Sequence, residues 1–183
     1  AETAPLAPSA ESLDVIQMRC PDQVDVPAFY DAAAAGGLVF GPSLRWLAQA
    51  WRGTDEALAR LAAPAGLDVR DHPGLIDACL QVAALLLPLD EPPGTLYLPL
   101  GIDALQADDP PLRLPAFVHA HLRPVDPTGA SPSRRADVEL LDESGEVQVR
   151  LTGVTLAPAP RVAVAAERPA ALRRTPWGER IPP

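Results

Sequence analysis

Lysine and asparagine are absent from the 183 residues, cysteine occurs twice, methionine once, and aromatic side chains make up only 4%. All 15 basic residues are therefore arginine, and against 24 acidic residues they leave a net charge of −9. A balance of that sign opposes general nucleic-acid binding, which needs clustered cations to release the counterions of a phosphate backbone. Two cysteines are too few for a disulfide framework, and no basic-then-apolar leader opens the sequence, so the expected location is the cytoplasm. Long apolar runs are lacking as well. Leu80 to Leu89 is the longest, is interrupted by Gln81 and Pro88, and falls short of the roughly 20 residues of a membrane span. No glycine loop that would cradle a phosphate occurs, and Gly41-Pro42-Ser43 lacks the second glycine of a nucleophile elbow, so nucleotide-dependent and serine-hydrolase chemistry gain no support. The missing lysine and asparagine have A-rich codons, while alanine, proline and arginine abound, as expected of a GC-rich bacterial gene.

What is present fits one folded domain with extensions. The length allows a single sizeable core. Hydrophobic residues at 48% exclude a hydrophobicity-poor disordered chain, while 23 prolines require much loop or strand edge. Residues 1–12 and 158–183 are rich in alanine and proline and read as linkers, leaving 13–157 as the folded region.

Within that region Val26 to Ala35 predicts a short helix, with a proline one residue in and a stop at Gly36-Gly37. Leu44 to Trp51 alternates with a period of two, and Arg52-Gly53-Thr54-Asp55 predicts a hairpin into a second strand ending at Leu61. Period-two alternation returns at 116–123, 136–140 and 147–152, with a turn at Asp142 to Gly145 and a phase shift at Gly153 that predicts a bulge. Between these groups, Pro73 to Leu87 predicts a helix capped by Asp71 or His72 and stopped by Pro88. Its apolar residues surround the axis, so it is expected to be buried on most sides. The expected fold class is α+β: a long buried helix wrapped by a curved antiparallel sheet, the hot-dog fold.

Two polar residues interrupt that helix. Asp77 and Gln81 lie one turn apart on the same face, within hydrogen-bonding reach of each other. A carboxyl group among apolar neighbours favours its protonated form, the form a general acid requires. The same pair also suits a purely structural network. His72 and Cys79 stand seven residues apart, about 10 Å along a helix, too far for a Cys–His dyad, and Cys79 reads as a core residue. His119 and His121 share one strand face without a third metal ligand at a supportive spacing, and read as a solvent-facing pair; no metal site is expected.

Four separated segments, VDVPAFYDAAAAGGLVFGPSLRWL, HPGLIDACLQ, TLYLPLGIDAL and ADVELLDESGEVQVRLTGVTL, resemble the C-terminal half of a dehydratase domain from a bacterial modular polyketide synthase. The similarity spans about residues 18–157 in the family order. It implies one of two fused hot dogs, acting on a β-hydroxyacyl chain tethered through phosphopantetheine to an acyl carrier protein. No directly bound cofactor is implied. In the H-P-x-L-x-D-x-x-x-Q motif, which includes His72 and Pro73, the resemblance makes Asp77 the acid that protonates the departing hydroxyl, oriented by Gln81. Phe40-Gly41-Pro42 matches the turn that lines the substrate tunnel, with phenylalanine where tyrosine is common, and Leu98-Pro99 matches a segment that helps close the site.

The family's base is a histidine in an H-x-x-x-G-x-x-x-x-P motif, and no such motif occurs in these residues. The expected partners are therefore an acyl carrier protein, other polyketide synthase domains and an N-terminal hot-dog half, with a homodimer as a further expectation. The alternatives are a non-catalytic scaffold and a chain-branching or cyclising dehydratase-like domain that cradles a carrier-bound intermediate.

Overall fold

The computed structural model describes residues 11–66, 73–87, 95–107, 116–124 and 132–160. The described residues open on helix α1 (Leu13–Arg19), capped by the Ser12 side chain, and a three-residue strand β1 (Asp22–Val24). Helix α2 (Val26–Ala35) follows. The Asp25 side chain accepts from the Ala28 amide at its start. At its end the Gly37 amide donates to the Ala34 carbonyl and the Leu38 amide to the Ala33 carbonyl, the paired bonds of a Schellman stop. Gly37 sits at φ 97, so the glycine pair does terminate this helix.

Strand β2 (Leu47–Arg52) begins later than the alternation predicts, because Pro42–Leu44 closes a 3₁₀ turn. A register shift between Leu47 and Gln49 then breaks the alternation, which puts both Trp46 and Leu47 inside and Ala48 outside. Strand β3 (Glu56–Leu61) completes the expected hairpin. Helix α3 (Gly74–Leu85) starts directly on Pro73, whose carbonyl accepts from the Asp77 amide. The expected cap residues Asp71 and His72 lie outside the described residues. Strands β4 (Thr95–Gly101), β5 (Ala104–Ala107), β6 (Ala116–Leu122), β7 (Arg134–Asp142) and β8 (Val147–Pro160) follow. The final strand runs to Pro160, past the expected boundary at 157.

The eight strands form one antiparallel sheet in the order β1-β2-β3-β6-β7-β8-β4, with β5 also paired to β8. Its concave face wraps α3, which packs on β3, β6 and β7. Leu75, Ala78, Cys79 and Val82 of the helix meet Val118, Val138, Leu151 and Leu156 of the sheet, all at most 2% exposed. Full burial of aliphatic side chains of this kind contributes about 1.5–3 kcal/mol each. This is the hot-dog arrangement. On the convex face, Ile16 and Cys20 of α1 and its junction pack on Leu58, Leu141 and Val147 as a second, smaller core.

The predicted bulge is present. Residues Ala136 and Val138 of β7 pair with Val154 and Leu151 of β8, so β8 carries an extra residue at this point, and Gly153 adopts φ 66. The Gly153 amide donates to the Asp137 carboxylate at 2.8 Å. His119 departs from expectation. It points to the convex face as alternation predicts, but there its Nε2 lies 2.9 Å from Glu56 Oε2 and its side chain is only 13% exposed. Glu56 is also held by the Arg19 guanidinium, so α1 covers the position that a bare strand would leave in solvent. His121 is exposed.

Candidate active site

Asp77 and Gln81 occupy one stripe of α3, as four-residue spacing dictates, and the Gln81 side-chain amide donates to Asp77 Oδ2 at 2.6 Å. Gln81 is 3% exposed, whereas Asp77 is half-buried. The buried amide has a partner for every direction in which it reaches. Its nitrogen also donates to the Leu44 carbonyl at 2.8 Å, and its oxygen accepts from the Tyr30 hydroxyl at 2.9 Å. A carbonyl oxygen only accepts, so Leu44 fixes which end of the amide is nitrogen and thereby presents a donor to Asp77.

Tyr30 extends the chain of bonds further. Its hydroxyl oxygen accepts from the Leu47 amide at 3.4 Å. Burial pushes the Tyr30 phenol up from its ordinary value, against smaller opposing effects from the Leu47 amide and Arg45. The phenol therefore keeps its proton and remains a donor to Gln81. The Phe40 ring packs edge-on against Tyr30 at 5.6 Å, and the Arg45 guanidinium sits 5.1 Å from the Tyr30 ring centre while its Nε donates to the Phe40 carbonyl. Three elements thus converge on Asp77: α2 through Tyr30, the 3₁₀ turn through Leu44, and α3 itself.

Sequence spacing locates Asp77 and Gln81 but not Tyr30, Leu44 or Arg45. Tyr30 is 51 residues from Gln81, and no local periodicity marks such a contact. Phe40, Gly41 and Pro42 form the turn leading into the 3₁₀ segment, with Phe40 and Gly41 half-buried and Pro42 exposed. Leu98 is half-buried and Pro99 exposed in β4, opposite Ala157 and Leu156 of β8. Pro73 is exposed at the start of α3, and His72 lies outside the described residues. Cys79 faces the core, where burial pushes its thiol up to about 12, so it is an inert packing group.

Beside the network lies a small apolar cleft of about 30 Å³, room for about one water molecule. Helix α2 contributes Phe29 and Ala33, the segment after it Leu38 and Phe40, α3 and its C-terminal end Ala84 and Leu87, and β4 Leu96 and Tyr97. Phe40 therefore joins the cleft to Tyr30. From β4 the cleft takes Leu96 and Tyr97 rather than Leu98 and Pro99. Among the described residues no group of three or more His, Cys, Asp or Glu side chains is placed to hold a metal ion, and no helix is long and apolar enough to cross a membrane.

Polyketide synthase PksN of Bacillus subtilis is 30% identical over 131 residues, covering 69% of this chain and 2% of that protein. The spectinabilin polyketide synthase system protein NorB of Streptomyces orinoci is 39% identical over 69 residues, covering 35% of this chain and 3% of that protein. The chain thus spans a small part of the length of these relatives. Among solved structures, the dehydratase domain from the CurJ module of curacin polyketide synthase superposes with a TM-score of 0.73 at 25% identity, covering 85% of this chain and 57% of that domain. The dehydratase domain of a mycocerosic acid synthase-like polyketide synthase superposes with a TM-score of 0.68 at 23% identity, covering 86% of this chain and 56% of that one. The family profile described as "Polyketide synthase dehydratase N-terminal domain" matches residues 8–166, most of the sequence. With a hot-dog fold and a profile match of that extent, the chain belongs to the polyketide synthase dehydratase family.

Proposed function

We propose that this chain is the Asp-bearing, C-terminal hot dog of a dehydratase and that it assists loss of water from a β-hydroxyacyl chain carried on the phosphopantetheine of an acyl carrier protein. The observation that carries the reading is the bond chain from Tyr30 through Gln81 to Asp77, a single polar line at the edge of an otherwise apolar core. Coverage of 57% of a solved dehydratase domain supports the assignment to one hot dog of a pair; the matching profile is described as the N-terminal domain, and the Asp77–Gln81 motif on α3 is what favours the C-terminal one.

The amide of Gln81 occupies Oδ2 of Asp77, which leaves Oδ1 to meet the substrate hydroxyl. Asp77 gives its proton to that hydroxyl as the Cβ–O bond breaks and water leaves. A histidine on a partner hot dog takes the α-proton, and the electrons of the Cα–H bond form the double bond. No directly bound cofactor enters this scheme. The partners are the carrier protein, neighbouring synthase domains and the His-bearing half, with self-association into a homodimer as a further property.

The test supplies the chain with a His-bearing hot dog and a β-hydroxyacyl carrier protein, and follows the acyl group by mass spectrometry. Loss of one water is expected from the pair and not from the chain alone. Asp77→Asn is expected to lower the rate by about 10²–10⁴-fold, the usual worth of a placed acid or base, with an unchanged circular dichroism spectrum. Full activity in Asp77→Asn refutes the proposal. Carrier binding without water loss in the paired system favours the non-catalytic or chain-branching and cyclising reading instead.

A further inference from the structure

The Gln81 amide takes its orientation from two groups, the Leu44 carbonyl and the Tyr30 hydroxyl, and one side chain, Arg45, is joined to the supports of both. Arg45 follows Leu44 directly, so the carbonyl that accepts from Gln81 belongs to the peptide bond leading into Arg45. The Arg45 Nε donates to the Phe40 carbonyl at 3.1 Å, which ties the far end of the turn to the near one. Its guanidinium carbon stands 5.1 Å from the centre of the Tyr30 ring.

The backbone of the turn fixes that peptide only loosely. The Leu44 amide donates to the Gly41 carbonyl at 2.9 Å, but the Arg45 amide reaches the Pro42 carbonyl at 3.4 Å, longer than the usual range of about 2.7–3.2 Å. Among the described residues no atom beyond its chain neighbours lies within 4 Å of the place a side chain at Gly41 would take, so the turn is unpacked on that side. From the core side the buried Trp46 indole donates to the Ser43 carbonyl at 2.8 Å. From the solvent side Arg45, itself exposed, supplies the tie to Phe40. Arg19, Arg123, Arg135 and Arg150 each pair with a carboxylate, whereas Arg45 pairs with none among the described residues and meets a carbonyl and a ring instead. A planar guanidinium suits both at once, with an N–H in its plane for the carbonyl and a face for the ring.

We infer that Arg45 is a positioning residue for the proposed acid, bracing the turn and the Tyr30 ring so that the Gln81 amide holds Oδ2 of Asp77. This rests on the reading of Asp77 above and adds a residue to it. Without Arg45 the Trp46 bond still anchors the turn at Ser43, so the fold survives. The Phe40 end and the Leu44 carbonyl gain freedom, and the amide loses the single orientation that presents its N–H to Asp77.

The test has two arms. In the first, the whole chain is amide-labelled at glutamine, and the Gln81 side-chain signals are read by NMR in the native protein, Arg45→Met and Arg45→Lys. Both variants are expected to shift those signals and to speed exchange of the amide protons with water, with an unchanged circular dichroism spectrum. In the second, water loss is followed with the chain paired to a His-bearing hot dog. Arg45→Met is expected to lower kcat about fivefold, the effect of one ordinary hydrogen bond, with KM unchanged. Arg45→Lys keeps the charge without the planar group and is expected to do no better. Native kcat in Arg45→Met refutes the inference, and native kcat in Arg45→Lys assigns the effect to charge and overturns the bracing role. A raised KM with native kcat makes Arg45 a contact for the carrier-borne substrate and overturns it too. Gln81 signals unmoved in both variants overturn the inference and leave the Asp77 reading standing, whereas full activity in Asp77→Asn overturns both.

Discussion

Replacing Tyr30 with phenylalanine removes one oxygen from the core and tests whether the polar line on α3 is a coupled unit. The ring stays, so its packing on Phe40 and the position of Arg45 over it are retained. The losses are the 2.9 Å bond to Gln81 and the longer 3.4 Å bond from the Leu47 amide. Gln81 is 3% exposed, so water cannot replace the lost donor without opening the core. An intramolecular hydrogen bond is worth about 1 kcal/mol net, and a buried acceptor left unpaired costs about 1–3 kcal/mol, so the expected destabilisation is about 2 kcal/mol. With a urea slope of about 2 kcal/mol per molar, the unfolding midpoint falls by about 1 M with no change in slope. The decisive measurement is a double-mutant cycle with Gln81→Leu. In that background no glutamine oxygen waits for the hydroxyl, and Tyr30→Phe is expected to cost at least about 1 kcal/mol less. Additive effects, with a coupling below about 0.5 kcal/mol, would falsify the coupled-unit argument.

Two further predictions concern the convex face and the bulge. Hydrogen bonds from Arg19, assisted by His119 and opposed by partial burial, hold the Glu56 carboxyl below its ordinary value of 4.5. A carboxylate with a depressed folded-state value contributes stability that is fully present above about 4.5 and is lost as pH falls through the folded value. Urea midpoints compared at neutral and acidic pH are expected to drop less in Glu56→Gln than in the native chain; equal drops would remove Glu56 from the account. At the bulge, Gly153→Ala places a methyl group against the Asp103 and Arg135 side chains, which pair with each other, and forces an alanine to φ 66. The paired side chains are exposed and can part, so the cost is mainly conformational, about 1–2 kcal/mol by thermal or urea unfolding. A neutral substitution would mean that β8 straightens without penalty.

Much of the fold is legible in the sequence because its strongest signals are local. The Ala136, Val138 and Leu140 alternation, the Gly153 phase shift and the all-round apolar character of α3 each reflect a single element meeting a single core. Helix α1 escapes this reading because it is seven residues long and buries one side chain, Ile16, within itself. Strand β5 and the end of β4 escape because Pro99 to Ala107 is exposed throughout, leaving no inside-outside contrast to detect. His119 shows the limit of alternation as a guide to solvent exposure. The pattern reports which face of a strand a residue occupies, and only the tertiary fold reports whether another element covers that face.

The candidate site divides along the same line. Asp77 and Gln81 are four residues apart on a helix, so their contact follows from helix geometry alone. Gln81 has one oxygen and two N–H groups, and in a core it needs partners for all of them, which the helix cannot provide because its own backbone groups are engaged. Burial of Gln81 therefore demands a donor and a second acceptor from elsewhere in the chain. The fold supplies Tyr30 and the Leu44 carbonyl, on either side of the Phe40-Gly41-Pro42 turn. That requirement ties the turn to Asp77 through Gln81: moving the turn withdraws the Leu44 carbonyl, frees the amide to rotate, and releases Oδ2 of Asp77. The position of the Asp77 carboxyl is thus set from the core side by a satisfied amide, while the residue itself is only half-buried.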